Sequence, residues 1–283
     1  MKRIAALPTI LTLGNAFCGF LAIMYVARAY YFMGEANGGV MFGEKMELAG
    51  WMIMLALVFD ALDGKVARMV KGESNFGAQL DSLADAISFG VAPAIMAMAM
   101  SWQWGELARI GWASSALFMV CALLRLARYN VESEAGSEGT SYFAGLPTPA
   151  AGGFVASLVI MRYNIVDSLP EDFAPIASQL LPVMDRLAKY LPLLAVALAL
   201  LMVSRVRYIH LANKLLKDQE AFGYIVGLVL AGFFLYFTRP FSIPLAFLIY
   251  IVWGLVGGFR SSKRDRQNNH ISDNNAEPDT AQQ

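Results

Sequence analysis

Long apolar runs separated by short polar segments form the main pattern of this 283-residue chain. A helix crosses the hydrocarbon core of a bilayer with about 20 residues, because each residue rises ~1.5 Å along the helix axis. The pattern therefore predicts an all-α, polytopic membrane protein with about eight transmembrane helices, and a mixed surface segment at 164–187. The predicted helices are 7–32, 48–68, 80–101, 108–129, 147–163, 188–204, 222–238 and 242–259.

Composition agrees with a membrane protein, since 57% of the residues are hydrophobic and the mean hydropathy is +0.51. The formal net charge is zero, which gives no argument for nucleic-acid binding. Cys18 and Cys121 both lie in apolar runs, so we expect small buried residues and neither a disulfide nor a cysteine metal site. A transmembrane domain is predicted over 1–260, and a disordered tail rich in polar residues over 261–283.

Lysine and arginine positions predict the orientation, because these residues accumulate on the cytoplasmic side of membrane proteins. With the N-terminus inside, 15 of the 22 fall on the inner side of the predicted helices and seven on the outer side. We therefore expect a multi-pass protein of the cytoplasmic membrane with both termini in the cytoplasm.

Four aspartates lie at the predicted inner ends of the second and third helices. Asp60 and Asp63 are three residues apart and Asp81 and Asp85 are four apart, so each pair shares one helix face. If the two helices are antiparallel neighbours, the carboxylates converge and require cations or protons, because they repel one another. Oxygen ligands favour Mg²⁺ or Mn²⁺, so the spacing predicts an intramembrane metal site.

A second polar cluster, Arg125, Arg128 and Asn130, lies at the inner end of the fourth predicted helix. Basic residues at this position are expected from topology and from lipid phosphates alone. The other interpretation is a binding site for a phosphate or a carboxylate, which a guanidinium matches with two parallel hydrogen bonds. The sequence leaves both open.

The stretch from Asp60 to Asp85 resembles the CDP-alcohol phosphatidyltransferase signature, D-x2-D-G-x2-A-R-x8-G-x3-D-x3-D. It matches at every fixed position, namely Asp60, Asp63, Gly64, Ala67, Arg68, Gly77, Asp81 and Asp85. Other segments are similar to bacterial phosphatidylserine synthases within that family, and the resemblance covers about 7–160. These segments are 7–19, 88–93, 125–130 and 143–149.

The resemblance implies a six-helix catalytic core that transfers the phosphatidyl group of CDP-diacylglycerol to L-serine and releases CMP. It implies two divalent cations, Mg²⁺ or Mn²⁺, held by the aspartates, with Asp85 also acting as general base, in a protein that forms a homodimer. Contacts to CDP-diacylglycerol are implied for Asp60, Gly64, Ala67, Arg68 and Gly77. Contacts to serine or a phosphate are implied for Arg125, Arg128 and Asn130.

Two alternatives stay open from the sequence. The acceptor could be another alcohol, such as glycerol 3-phosphate or inositol, with the same reaction. The acidic cluster could instead belong to a cation or proton-coupled transporter, but the sequence shows no second copy of the aspartate pattern, as an internal repeat would.

Overall fold

The computed structural model describes residues 6–33, 38–70, 75–101, 105, 108–134, 142–168, 174–204, 206–209 and 241–257. Over these ranges the chain is almost entirely helical, which confirms the predicted all-α class. A π-helical segment, Ala86–Val91, joins α3 directly to α4. The helices are α1 (Ala6–Phe32), α2 (Gly38–Val70), α3 (Asn75–Asp85), α4 (Ala92–Ser101), α5 (Ala108–Glu134), α6 (Thr148–Ser168), α7 (Ala174–Lys189), α8 (Leu191–Val203) and α9 (Ser242–Gly257).

Three of the helical stretches are long and apolar enough to cross a membrane, among the residues that the structure describes. They are Leu7–Phe32, Phe76–Ser101 and Ala108–Glu132. The end of α7 and the whole of α8 make a fourth candidate, bent by 53°, if the pair counts as one span. These helices fit a membrane-embedded protein, as do the exposed apolar side chains along α1, which include Ile10, Phe17 and Phe20.

Helix α2 begins at Gly38, well before the start predicted near residue 48. The charged residues Glu44 and Lys45 interrupt the apolar run and conceal the first turns from a hydropathy reading. The helix nevertheless continues through these turns, because Phe42, Met46 and Ala49 are buried and their spacing places them on one helix face. The predicted helix at 222–238 and the predicted tail at 261–283 lie outside the described residues.

The π-helical segment packs closely against α1 on one side and α6 on the other. A Cβ atom on Gly152 of α6 would lie 2.8 Å from the carbonyl oxygen of Phe89, so the two backbones touch there. On the other side, Gly19 of α1 packs against Ser88. Small residues at membrane helix contacts allow this proximity. The segment that directly follows Asp85 is therefore held from two sides.

A short β pairing ties the chain before α6 to the chain after α8. Strands β1 (Tyr142–Ala144) and β2 (Arg207–Ile209) are antiparallel, with Phe143 opposite Tyr208. The next residue, Gly145, has φ +85°, a conformation that glycine adopts without strain, and donates a hydrogen bond to the carbonyl of Val206 at 2.8 Å. Strands of three residues carry no readable period, so this pairing was not predicted. It fixes the start of α6 at Thr148.

Candidate active site

Three of the predicted carboxylates converge between α2 and α3. One carboxylate oxygen from each of Asp60, Asp63 and Asp81 lies within 4.8 Å of the other two. Among the described residues, the Oδ2 atom of Asp63 is buried and has no hydrogen-bond partner. Hard oxygen donors with an unused buried lone pair fit a divalent cation such as Mg²⁺ or Mn²⁺. The acidic group is therefore one that could hold a metal ion.

Asp85 lies beside this group, at the point where α3 passes into the π-helical segment. Its side chain is only 8% exposed, and its Oδ1 atom accepts a hydrogen bond from Asn15 Nδ2 at 3.0 Å. It is close enough to Asp60, Asp63 and Asp81 for repulsion between the carboxylates. The three clustered aspartates thus have a fourth carboxylate as a neighbour, and this one accepts a hydrogen bond from an asparagine.

Helix α1 supplies polar groups that surround the aspartates. Thr12 is buried, lies within hydrogen-bonding reach of Asp63 and donates to the carbonyl of Pro8 at 3.0 Å. Asn15 is fully buried, and its backbone carbonyl accepts a hydrogen bond from Ser88 Oγ at 2.9 Å. Asn15 lies inside the apolar run of α1, and only the fold identifies Asp85 as the partner of its side chain.

Arg125 is a buried cation next to the carboxylates. The residue is 9% exposed, and its Nη1 atom donates to Thr148 Oγ1 at 3.1 Å. Asp85 is close enough to attract the guanidinium electrostatically, and so is Tyr250 of α9. Within the described part of the chain, its Nε atom is buried without a hydrogen-bond partner. A buried guanidinium with an unused donor is typical of a site that receives an anion.

The other two residues of this predicted cluster have different surroundings. Arg128 is partly exposed, and its Nε atom pairs with Glu132 Oε1 one turn further along α5 at 2.8 Å. Asn130 Oδ1 accepts a hydrogen bond from Ser82 Oγ at 2.9 Å, which joins the end of α5 to α3 next to Asp81. The three residues of the predicted cluster therefore differ: Arg125 is buried, Arg128 is partly exposed, and Asn130 connects two helices.

Gly64, one of the small residues of the signature, lies on an accessible side of α2. Gly64 is exposed, and a Cβ atom built on it would meet nothing within 4 Å, so open space lies beside the helix at the residue that follows Asp63. Gly77 is half-buried on α3. Ala67 and Arg68 belong to α2, but their side chains lie outside the described residues.

A model of the CDP-alcohol phosphatidyltransferase family matches residues 5–201, which include every residue named in this site except Tyr250. The match covers more than half of the chain. The chain therefore belongs to this family of enzymes, as the aspartate signature predicts.

Curated relatives carry a more specific name. The protein is 31% identical over 253 residues to a CDP-diacylglycerol--serine O-phosphatidyltransferase of Helicobacter pylori, which covers 88% of this chain and 89% of the relative. A protein of the same name from Methanocaldococcus jannaschii is 32% identical over 207 residues, or 72% of this chain and 81% of the relative. Another from Saccharomyces cerevisiae is 33% identical over 177 residues, 60% of each chain.

Proposed function

We propose that this protein is a CDP-diacylglycerol–serine O-phosphatidyltransferase that makes phosphatidylserine and CMP. The family match and the names of the relatives support the reaction. The observation that carries the proposal is the composition of the site. In the described part of the chain, a three-carboxylate group lies with a separate buried carboxylate and a buried arginine that has an unused donor. Such a site offers metal ligands for a pyrophosphate, a candidate base and a group that can bind an anion.

Asp60, Asp63 and Asp81 would hold two divalent cations, Mg²⁺ or Mn²⁺, with Asp85 close to them. Metal ions in such a site neutralise charge on phosphate oxygens. The Oδ2 atom of Asp63 supports this assignment, because it is buried without a hydrogen-bond partner among the described residues, and such an acceptor is otherwise destabilising. The three aspartates fix where the pyrophosphate lies and thereby orient the phosphorus atom that is attacked.

Open space at Gly64 would let the CDP part of the lipid substrate approach the backbone of α2. Ala67, Arg68 and Gly77 belong to the same proposed contact surface through their places in the signature. In this arrangement the diacylglycerol chains extend along apolar helix faces that meet the bilayer, while the nucleotide stays at the polar helix ends. A lipid substrate and a water-soluble acceptor would then meet at one depth.

Asp85 would act as the general base. In the transfer, the serine hydroxyl oxygen forms a new bond to the β-phosphorus, and the bond from that phosphorus to the oxygen of CMP breaks. The hydroxyl proton passes to Asp85, which makes a weak nucleophile effective near neutral pH. Asp85 is suited to this role because it lies outside the group of three converging oxygens and accepts a hydrogen bond from Asn15.

Arg125 would bind the serine carboxylate. Asp85 is close enough to attract its guanidinium, so a serine carboxylate bound at the Nε atom would bring the serine hydroxyl near the proposed base. Asn130 would position α5 against α3 through Ser82, and its side chain would receive the amino group of serine. Arg128 already pairs with Glu132. We therefore assign the carboxylate to Arg125 and not to Arg128.

We also propose that the site faces the cytoplasm, that the catalytic domain spans 1–260 and that the protein acts as a homodimer in the cytoplasmic membrane. The excess of lysine and arginine on one side supports the orientation. The dimer rests on the family resemblance.

The direct test of the proposed function is a panel of acceptors. Purified protein with CDP-diacylglycerol and Mg²⁺ or Mn²⁺ is expected to release CMP with L-serine and to form phosphatidylserine. Labelled glycerol 3-phosphate and inositol are the comparisons, since they would use the same lipid and metals. Faster CMP release with either of them than with serine would reject the serine assignment and leave the family reaction in place.

Arg125→Lys is expected to raise the KM for serine by about tenfold or more, because an ammonium group cannot form the planar double hydrogen bond of a guanidinium. The KM for CDP-diacylglycerol should change less than about threefold. Arg128→Lys is the matched control three residues along the helix, and it should leave the serine KM nearly unchanged. The two KM values are obtained from initial rates, with one substrate varied while the other is saturating. A defect confined to the lipid substrate would reassign Arg125 to its phosphates.

A further inference from the structure

Asn15 is bound to the segment around Asp85 at two points. Its side-chain Nδ2 donates to Asp85 Oδ1 at 3.0 Å, and its backbone carbonyl accepts a hydrogen bond from Ser88 Oγ at 2.9 Å. Gly19, one turn along α1, packs directly against Ser88 and keeps the two backbones together. The two hydrogen bonds join α1 to Asp85 at the end of α3 and to Ser88 in the π-helical segment that follows it.

Stability alone gives no reason for an asparagine here. The residue is fully buried, and among the described residues its Oδ1 atom has no hydrogen-bond partner. An unsatisfied buried acceptor destabilises a fold, whereas a leucine of similar size would pack without one. The contribution that only the asparagine makes is the hydrogen bond to Asp85.

We propose that Asn15 is a positioning residue that orients the Asp85 carboxylate for proton transfer, a role that rests on the proposed function of Asp85. The amide donor occupies Oδ1 and restricts rotation of the carboxylate. Oδ2 is then the oxygen presented to the acceptor hydroxyl. An amide N–H donates and does not take up the proton, so it holds the base without competing for it. Asn15 acts through Asp85 and does not itself exchange a proton.

The chain contains a matched pair of the same chemistry far from the aspartates. Asn164 Nδ2 of α6 donates to Glu47 Oε1 of α2 at 2.6 Å. Asn164 lies about 24 Å farther along α6 than Thr148, at ~1.5 Å per residue, and Thr148 is the residue that contacts Arg125. Asn164→Leu removes an amide–carboxylate hydrogen bond between helices without touching the site, so it reports the purely structural effect of such a change.

The experiment is a double-mutant cycle on the full-length protein with CDP-diacylglycerol, serine and Mg²⁺, scored by CMP release. Asn15→Leu is expected to lower kcat by about 10- to 100-fold, as expected for a misdirected catalytic group, with both KM values within about threefold. Asn164→Leu should keep kcat within about twofold. In an Asp85→Asn background, Asn15→Leu should cause no further loss, because its effect passes through the carboxylate that is already gone.

Several results would overturn the proposal. An unchanged kcat in Asn15→Leu would do so, as would an equal loss with and without Asp85, since that loss would come from the fold. If Asn15→Leu does not fold, Asn15→Ala removes the same donor without added volume and carries the same expectations. Should the wild-type protein prefer another alcohol, the serine assignment fails while the same cycle with that alcohol still tests Asn15. A wild-type protein inactive with every alcohol would reject both proposals.

Discussion

Asparagine in place of Asp60, Asp63 or Asp81 is expected to abolish turnover, with a loss of at least about 10³-fold for each single change. Each substitution keeps the size of the side chain and removes one negative charge and one strong oxygen donor. Because one oxygen of each residue lies within 4.8 Å of the other two, each single change leaves only two of the three converging carboxylates. Binding of Mn²⁺, measured by calorimetry or by its paramagnetic signal, should weaken in the same variants.

These variants should still fold and be extracted in detergent. Neutralising one of several carboxylates that repel one another inside a membrane protein removes a solvation penalty. Asp185→Asn is the matched control, since Asp185 is an exposed acidic residue that pairs with Arg162 away from the cluster. It should keep wild-type turnover and metal binding. Full activity after chelation, with metal analysis showing an empty protein, would contradict the metal assignment.

The sequence predicted the helices well where their apolar runs were long and uninterrupted. α1 and α5 lie close to their predicted positions, because hydrophobic length is a strong signal for a bilayer-spanning helix. The start of α2 was wrong by several turns, because Glu44 and Lys45 lower the local hydropathy although the helix continues beneath them. The π-helical segment and the β pairing were also missed, since neither leaves a period that can be read from the sequence.

The aspartates were predictable because spacing within a helix determines which residues share a face. Their partners were not, since the contacts that complete the site join distant parts of the chain. The bond from Asn15 to Asp85 spans 70 residues, and the bond from Ser82 to Asn130 spans 48. Such contacts depend on which helices become neighbours. Hydropathy and residue spacing do not determine that arrangement.

The two arginines of α5 share a helix face but have different surroundings. Residues three apart on an α-helix differ by about 60° around the axis, at 3.6 residues per turn. That angle is small enough for a sequence reading to group Arg125 with Arg128. It is large enough for the structure to bury the first against Thr148 and leave the second with Glu132 at the surface. The depth of each side chain in the bundle therefore separates a candidate substrate ligand from a surface ion pair.

Asp85→Asn is expected to lower kcat by about 10²- to 10⁴-fold, the usual contribution of a general base. The substituted amide keeps an oxygen that can accept the hydrogen bond from Asn15, so α1 and the π-helical segment should stay in place. Because Asp85 lies outside the group of three converging oxygens, the variant should retain most of its affinity for Mn²⁺ and for CDP-diacylglycerol. This combination distinguishes Asp85 from Asp81, one turn earlier, where metal binding should be lost together with turnover.

The measurement is single-turnover CMP release beside calorimetric titration of Mn²⁺ and of the lipid substrate. A slow chemical step with normal binding would support the base assignment for Asp85. Loss of Mn²⁺ affinity equal to that of Asp81→Asn would show that Asp85 acts as a metal ligand first. Turnover near the wild-type rate would exclude it as the base, and the proton acceptor would then have to be sought among the clustered carboxylates.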